Sequence, residues 1–237
     1  MVIDSIVIVP TFNEKENVEK MARKVMSLDK HFDLLFVDDS SPDGTADIIR
    51  ELQKEFEGRI HLEVRKGKLG LGTAYIHGFK WGIQRKYDYI FEMDCDFSHN
   101  PEDLIRLYES CTNGVDLSIG SRYVKGGKIT NWPMKRILMS YFASVYVRMI
   151  LWINIKDTTA GFKCYRREVL EKINLDGVVF KGYAFQICLK FAAKRHGFKI
   201  EEIPITFIDR ELGTSKMNTG IFKEAFFGVW KMRRMKL

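Results

Sequence analysis

The chain has 237 residues, of which 46% are hydrophobic and 29% charged, and a formal net charge of +7. That length holds one generous domain with a full core, and the composition excludes a disordered or collagen-like chain. Cys95, Cys111, Cys164 and Cys188 form no CxxC pair, so neither a zinc site nor a disulfide framework is expected, and reduced thiols fit a cytosolic protein.

The N-terminus, with Asp4 and no basic n-region, runs directly into a strand and does not read as a signal peptide. Ile6 to Val9 is a short apolar run expected to be a buried strand. Glu14 to Leu28 has helical spacing, with Val18, Met21, Ala22, Val25 and Met26 on one side. A strand is expected at Leu34–Val37, a helix over Pro42–Phe56, and a strand at Ile60–Val64. A helix over Thr73–Lys86 and a strand at Tyr89–Met93 follow. Such alternation predicts a mostly parallel sheet covered on both faces. Ligands of these sheets sit beyond the carboxyl ends of the strands, so the residues after Val9, Val37 and Met93 are the ones to inspect.

All three places are polar and acidic. They carry Pro10-Thr-Phe-Asn-Glu14, Asp38-Asp-Ser-Ser-Pro-Asp-Gly-Thr45 and Asp94-Cys-Asp96-Phe-Ser-His99. Asp94 and Asp96, one residue apart at a strand end, repel each other unless a cation lies between them. Hard oxygen ligands select Mg²⁺ or Mn²⁺, which keep waters and bridge to substrate phosphates. An ion there would neutralise a diphosphate leaving group. Asp38 and Asp39 also suit a turn and a helix start, so one can close the turn while the other faces ligand. Glu14 is equally a first-turn helix acid. Lys66-Gly-Lys-Leu-Gly-Leu-Gly72 matches neither standard phosphate-loop pattern and reads either as a phosphate cradle or as the entry to the following helix.

These motifs resemble the dolichol-phosphate (polyprenol-phosphate) mannosyltransferases, family 2 glycosyltransferases with the GT-A fold. The likeness lies in Val9-Pro-Thr-Phe-Asn-Glu14, Val37–Thr45, Lys68–Gly78 and Met93–His99. It continues through Gly120-Ser-Arg-Tyr123, Thr159-Ala-Gly-Phe162, Tyr165–Leu170 and Ile203–Phe207, and ends near Asp209–Lys216. The resemblance implies that Pro10, Phe12, Glu14, Val37 and Asp39 hold guanosine. It implies that Asp94, Cys95 and Asp96 bind metal and diphosphate, with Ser98 a ligand or a support for one. Arg122 would meet the donor or acceptor phosphate, and Arg210 and Lys216 would close over the phosphates; Asp96 and Arg122 are the catalytic candidates. Phe12 stands where the family usually has tyrosine, and Cys95 where it usually has alanine.

The implied reaction moves mannose from GDP-mannose to a polyprenyl or dolichyl phosphate with inversion, at the cytoplasmic face of a membrane. An anionic acceptor needs no protein base. The expected fold is α/β: a GT-A, Rossmann-like, mostly parallel sheet flanked by helices, with amphipathic membrane-interface helices in the C-terminal half. Residues 1–216 form the transferase domain, and 217–237 an amphipathic basic helix. No acid occurs from Leu117 to Lys156, a stretch holding Arg122, Lys125, Lys128, Lys135, Arg136, Arg148 and Lys156. Lys231, Arg233, Arg234 and Lys236 close the chain. Within Ile137–Ile153 the polar residues Ser140, Ser144 and Arg148 fall four apart on an otherwise apolar helix. That helix reads as an interfacial one or as part of the core. Peripheral attachment to the membrane is expected, which leaves room for a membrane-spanning partner. A related enzyme using UDP-glucose has the same fold and metal logic. A basic nucleic-acid module accounts for the cations but leaves the aspartates unexplained, so no nucleic-acid partner is expected.

Overall fold

The computed structural model describes residues 3–209 and 219–235. The first half alternates β1 (Ser5–Thr11), α1 (Val18–Met26), β2 (Asp33–Asp38), α2 (Thr45–Glu55), β3 (Ile60–Val64), α3 (Leu71–Gln84), β4 (Tyr89–Glu92) and α4 (Asp103–Thr112). Then come β5 (Leu117–Ser121), β6 (Lys128–Thr130), α5 (Met134–Leu151), β7 (Lys163–Arg166) and α6 (Arg167–Lys172). The chain continues through α7 (Tyr183–Arg195), β8 (Ile200–Pro204), β9 (Thr206–Ile208) and α8 (Thr219–Met232).

Seven strands form one sheet in the order β3-β2-β1-β4-β7-β5-β8. All neighbours are parallel except β7, which runs antiparallel to both β4 and β5. The central strands read as continuous apolar runs because each face is covered. Alternate side chains sort to opposite sides: Ile6, Ile8, Leu35, Val37 and Ile90 enter one core, and Val7, Val9, Leu34, Phe36 and Phe91 the other. The expected mostly parallel, helix-covered sheet is therefore the observed one. Strands β6 and β9 pair separately as a small parallel ribbon.

Helix α1 begins later than the spacing predicts. The carbonyl of Glu14 accepts from the backbone N–H groups of Asn17 and Val18, both at 2.9 Å, so a turn precedes the helix and sets Glu14 outside it. Helix α5 buries Ser144, Val147, Ile150 and Leu151. It leaves Leu138, Met139, Tyr141, Phe142 and Met149 exposed. Helix α8 lays Val229 and Met232 into the first core and leaves Phe226, Phe227 and Trp230 outside. The two helices meet where Tyr146 stacks on Phe226 at 4.9 Å and Trp230 Nε1 donates to the Tyr146 hydroxyl at 3.0 Å. No helix among the described residues is long and apolar enough to cross a membrane.

Candidate active site

A cavity of about 700 Å³ opens at the carboxyl ends of β1, β2 and β4. Pro10, Phe12, Glu14, Asp39, Asp94, Cys95, Asp96, Ser98 and Arg122 all line it. Val37 does not: β2 turns its side chain into the first core, where it is fully buried. Arg210 and Lys216 lie outside the described residues.

The loop after β4 is shaped by two devices. Phe97 adopts a left-handed φ of 57°, a conformation that costs energy in a bulky residue and recurs at functional sites. Asp96 Oδ1 accepts the Ser98 backbone N–H at 3.1 Å. Asp94 Oδ1 accepts the Tyr75 hydroxyl at 3.1 Å. Cys95 packs in the second core, and no disulfide forms among the buried cysteines.

The two aspartates after β2 divide their work. Asp38 is buried and accepts from the Thr11 hydroxyl at 2.9 Å and the Ser41 backbone N–H at 2.9 Å, which closes the turn. Asp39 faces the cavity. Arg65 Nε donates to its Oδ1 at 2.7 Å, and the Leu69 backbone N–H donates to its Oδ2 at 3.1 Å. Asp39 thereby ties down the glycine-rich segment, whose Lys68 holds its ammonium 4.6 Å from the Phe12 ring centre. Glu14 is buried, accepts from Asn17 Nδ2 at 2.9 Å, and has its own N–H bound to the Thr45 hydroxyl at 3.0 Å.

Arg122 is held by a fork. Asp157 accepts from its Nε at 2.7 Å and from an Nη at 2.6 Å, and Thr159 accepts from the same Nη at 2.9 Å. Burial alone would discourage either charge. The Coulomb attraction and hydrogen bonds of the pair outweigh it, so the guanidinium pKa is raised and the Asp157 pKa lowered. Trp132 and Phe207 stand 5.6 and 5.3 Å from the guanidinium. Nearby His99 stacks on Phe162 at 4.9 Å, and burial pushes its pKa down to about 4, against the pull of Asp96.

Beneath the site runs a buried polar network. Lys163 Nζ lies 2.9 Å from Glu92 Oε1, which also accepts the Tyr165 hydroxyl at 2.8 Å. Gln186, on the cavity wall, donates to Glu92 Oε2 at 2.7 Å and accepts from Lys163. Lys190 donates to the carbonyls of Thr158 and Ala160 at 2.9 and 2.6 Å. Burial lowers the pKa of both lysines. Sequence reasoning missed Tyr75, Asp157, Lys163 and Gln186. Lys163 left a signal, since a lysine inside Phe162-Lys-Cys-Tyr165 interrupts a strand-like run.

Among the described residues no three His, Cys, Asp or Glu side chains converge to hold a metal ion by themselves. Two hard carboxylates on a cavity fit Mg²⁺ or Mn²⁺, which draw their remaining ligands from water and substrate phosphates. A sheet of this topology, mostly parallel and flanked by helices, is the GT-A fold, and the paired-aspartate loop stands at the end of one of its central strands.

The comparisons extend that assignment. The family model described as glycosyl transferase family 2 matches residues 6–174, and the chain belongs to this family. It is 48% identical to the polyprenol monophosphomannose synthase of Mycolicibacterium smegmatis, over 97% of this chain and 87% of that protein. It is 46% identical to the undecaprenyl-phosphate mannosyltransferase of Micrococcus luteus, over 94% and 90%. Both relatives are glycosyltransferases, as is this chain. Among solved structures, glucosyl-3-phosphoglycerate synthase from Mycobacterium tuberculosis, in a complex with Mn²⁺, UDP and glucosyl-3-phosphoglycerate, shares the fold. Its TM-score is 0.68 at 16% identity, covering 97% of this chain and 80% of that one.

Proposed function

We propose that this enzyme transfers mannose from GDP-mannose to a polyprenyl phosphate with inversion, while attached peripherally to the cytoplasmic face of a membrane. The observation that carries the reading is one cavity pairing Asp94 and Asp96 with Arg122, in a chain that matches a polyprenol monophosphomannose synthase over 97% of its length. In this reading Phe12 and Pro10 offer apolar surface to the guanine, and Glu14 and Asp39 accept from its donors and from the ribose; any part for Val37 falls to its backbone. A divalent cation held by Asp94 and Asp96, with Ser98 beside them, would neutralise the departing diphosphate.

The acceptor phosphate is anionic near neutral pH, so its oxygen attacks the anomeric carbon without a protein base. The new C–O bond forms as the bond to the diphosphate breaks, and the electron pair leaves with GDP. Arg122, already fixed by Asp157 and Thr159, supplies positive charge between two phosphates without reorganising during the reaction. Arg210 and Lys216 are proposed to add charge from the following segment.

For the membrane, the support is an outward apolar surface on α5 and α8. Phe142 is 62% exposed, Phe227 69% and Trp152 84%. Trp152 closes α5 in a left-handed conformation, with φ 56°, that leaves its ring outside. Aromatic side chains amid Lys135, Arg148 and Lys231 suit the headgroup region of an anionic bilayer. The test is to incubate purified protein with Mn²⁺, polyprenyl phosphate and radiolabelled GDP-mannose or UDP-glucose. Label should pass into the organic phase from GDP-mannose. Transfer from UDP-glucose instead would replace the donor, and transfer from neither would overturn the reading.

A further inference from the structure

The glycine-rich segment leading into α3 belongs to neither the carboxylate pair nor the cation fork, yet the chain packs it with unusual closeness. A Cβ at Gly72 would lie 2.6 Å from the Phe180 carbonyl and 2.9 Å from the Phe185 ring. One at Gly78 would lie 2.5 Å from Ile8 Cγ2. Helix α3 therefore lies flush against β1 on one side and the start of α7 on the other. Nothing larger than glycine at these two positions permits that depth.

The approach delivers one polar atom to the site. Tyr75 is fully buried, its ring stacked with Phe185 at 6.0 Å and 4° and with Phe79 at 6.1 Å and 23°. With the ring lying almost parallel to Phe185, its hydroxyl stands 3.1 Å from Asp94 Oδ1. We infer that Tyr75 is a positioning residue: its hydroxyl fixes the orientation in which Asp94 meets the metal–diphosphate group, and Gly72 and Gly78 let α3 lie close enough to bring it there. This inference rests on the proposed role of Asp94 in metal binding. A carboxylate that receives such a bond enters the complex already oriented, whereas an unheld one must be ordered on binding.

Three proteins test the inference by Mn²⁺ titration with GDP, followed by electron paramagnetic resonance of free Mn²⁺, alongside thermal melts. Tyr75→Phe keeps the ring and loses only the hydroxyl. Its Mn²⁺ half-saturation should rise about tenfold, the low end for losing a support to a metal ligand. Its melting temperature should stay within about 4 °C of wild type. Phe79→Leu disturbs the same stack but keeps the hydroxyl, so its half-saturation should stay within about twofold while its melting temperature drops. Asp96→Asn reports on the underlying reading and should lose the GDP-dependent Mn²⁺ site. A wild-type constant in Tyr75→Phe would overturn the positioning role alone, provided Asp96→Asn still loses the site. An equal rise in Phe79→Leu would also overturn it, since packing would then be the cause. Wild-type protein without any GDP-dependent Mn²⁺ site would bring down the metal reading and this inference together.

Discussion

Helix α1 turns Val18, Met21, Ala22, Val25 and Met26 inward and its charges outward. Helix α5 divides its apolar residues: it buries Val147, Ile150 and Leu151 beside Ser144, whose hydroxyl accepts from Thr158 at 3.2 Å, and leaves Leu138, Met139, Phe142 and Met149 uncovered. The two helices face different surroundings, and α5 is the longer and richer in apolar residues. In the first half, apolar surface is spent on holding a rigid sheet whose strand ends present carboxylates. In the second, part of it is kept outside, and Tyr146 joins α5 to α8 through Phe226 and Trp230. The cavity spans the two regimes, with Asp94 and Asp96 contributed by the first half and Arg122, Trp132 and Arg136 by the second. In the proposed reaction the water-soluble donor would meet the first side and the lipid-bound acceptor the second.

The comparison is broken most severely at the strand ends. Asp96→Asn should lower turnover by at least about 10²–10³-fold in saturating Mg²⁺ or Mn²⁺, with vesicle binding and circular dichroism unchanged. A near wild-type rate would remove the carboxylate from the chemistry. Next comes the fork that holds Arg122. Asp157→Ala leaves a buried guanidinium without its partner and should cost about 3–5 kcal/mol in chemical denaturation. Exchanging both Phe142 and Phe227 for serine probes the other regime. Each phenylalanine can bury about 1.5–3 kcal/mol of apolar surface, so sedimentation with anionic vesicles should weaken at least about tenfold. Unfolding stability should change far less, because both rings are mostly exposed in the folded chain.

The smallest effect concerns His61, whose ring packs at a tilt against Trp81 with centres 4.8 Å apart. Burial lowers its pKa from 6.5, and Arg85 adds to the effect against the pull of Asp33. The unfolded chain therefore takes up a proton below pH 6.5 before the folded one does, and stability declines as pH falls from that point. His61→Gln should make that slope shallower in denaturation curves recorded between pH 6.5 and 5, with His99 keeping part of it, and leave stability above pH 7 little changed.

Much of the first half was legible because local pattern and burial agree there. Strands β1, β2 and β4 carry short apolar runs, and the loops at their ends carry the acids that the parallel-sheet rule marks, whereas β3 alternates apolar with polar residues. Strand β7 was harder to read: Lys163 looks like a surface residue until Glu92 and Gln186, from distant parts of the chain, are placed around it. The bond from Tyr75 to Asp94 was hidden for a similar reason, since it depends on how closely α3 lies against β1. Helix α5 was visible as apolar with a polar stripe. Which stripe faces inward is decided by partners such as Thr158, and periodicity alone does not name them. Val37 shows the opposite limit, because a residue beside a functional motif in sequence can still point its side chain into the core.

The most direct test of the central claim is an anomalous-scattering map from crystals of the enzyme soaked with GDP and Mn²⁺. A manganese peak within coordination distance of Asp94 or Asp96 and of the diphosphate is the predicted result. A map with the diphosphate bound elsewhere and no manganese at these aspartates would contradict the account.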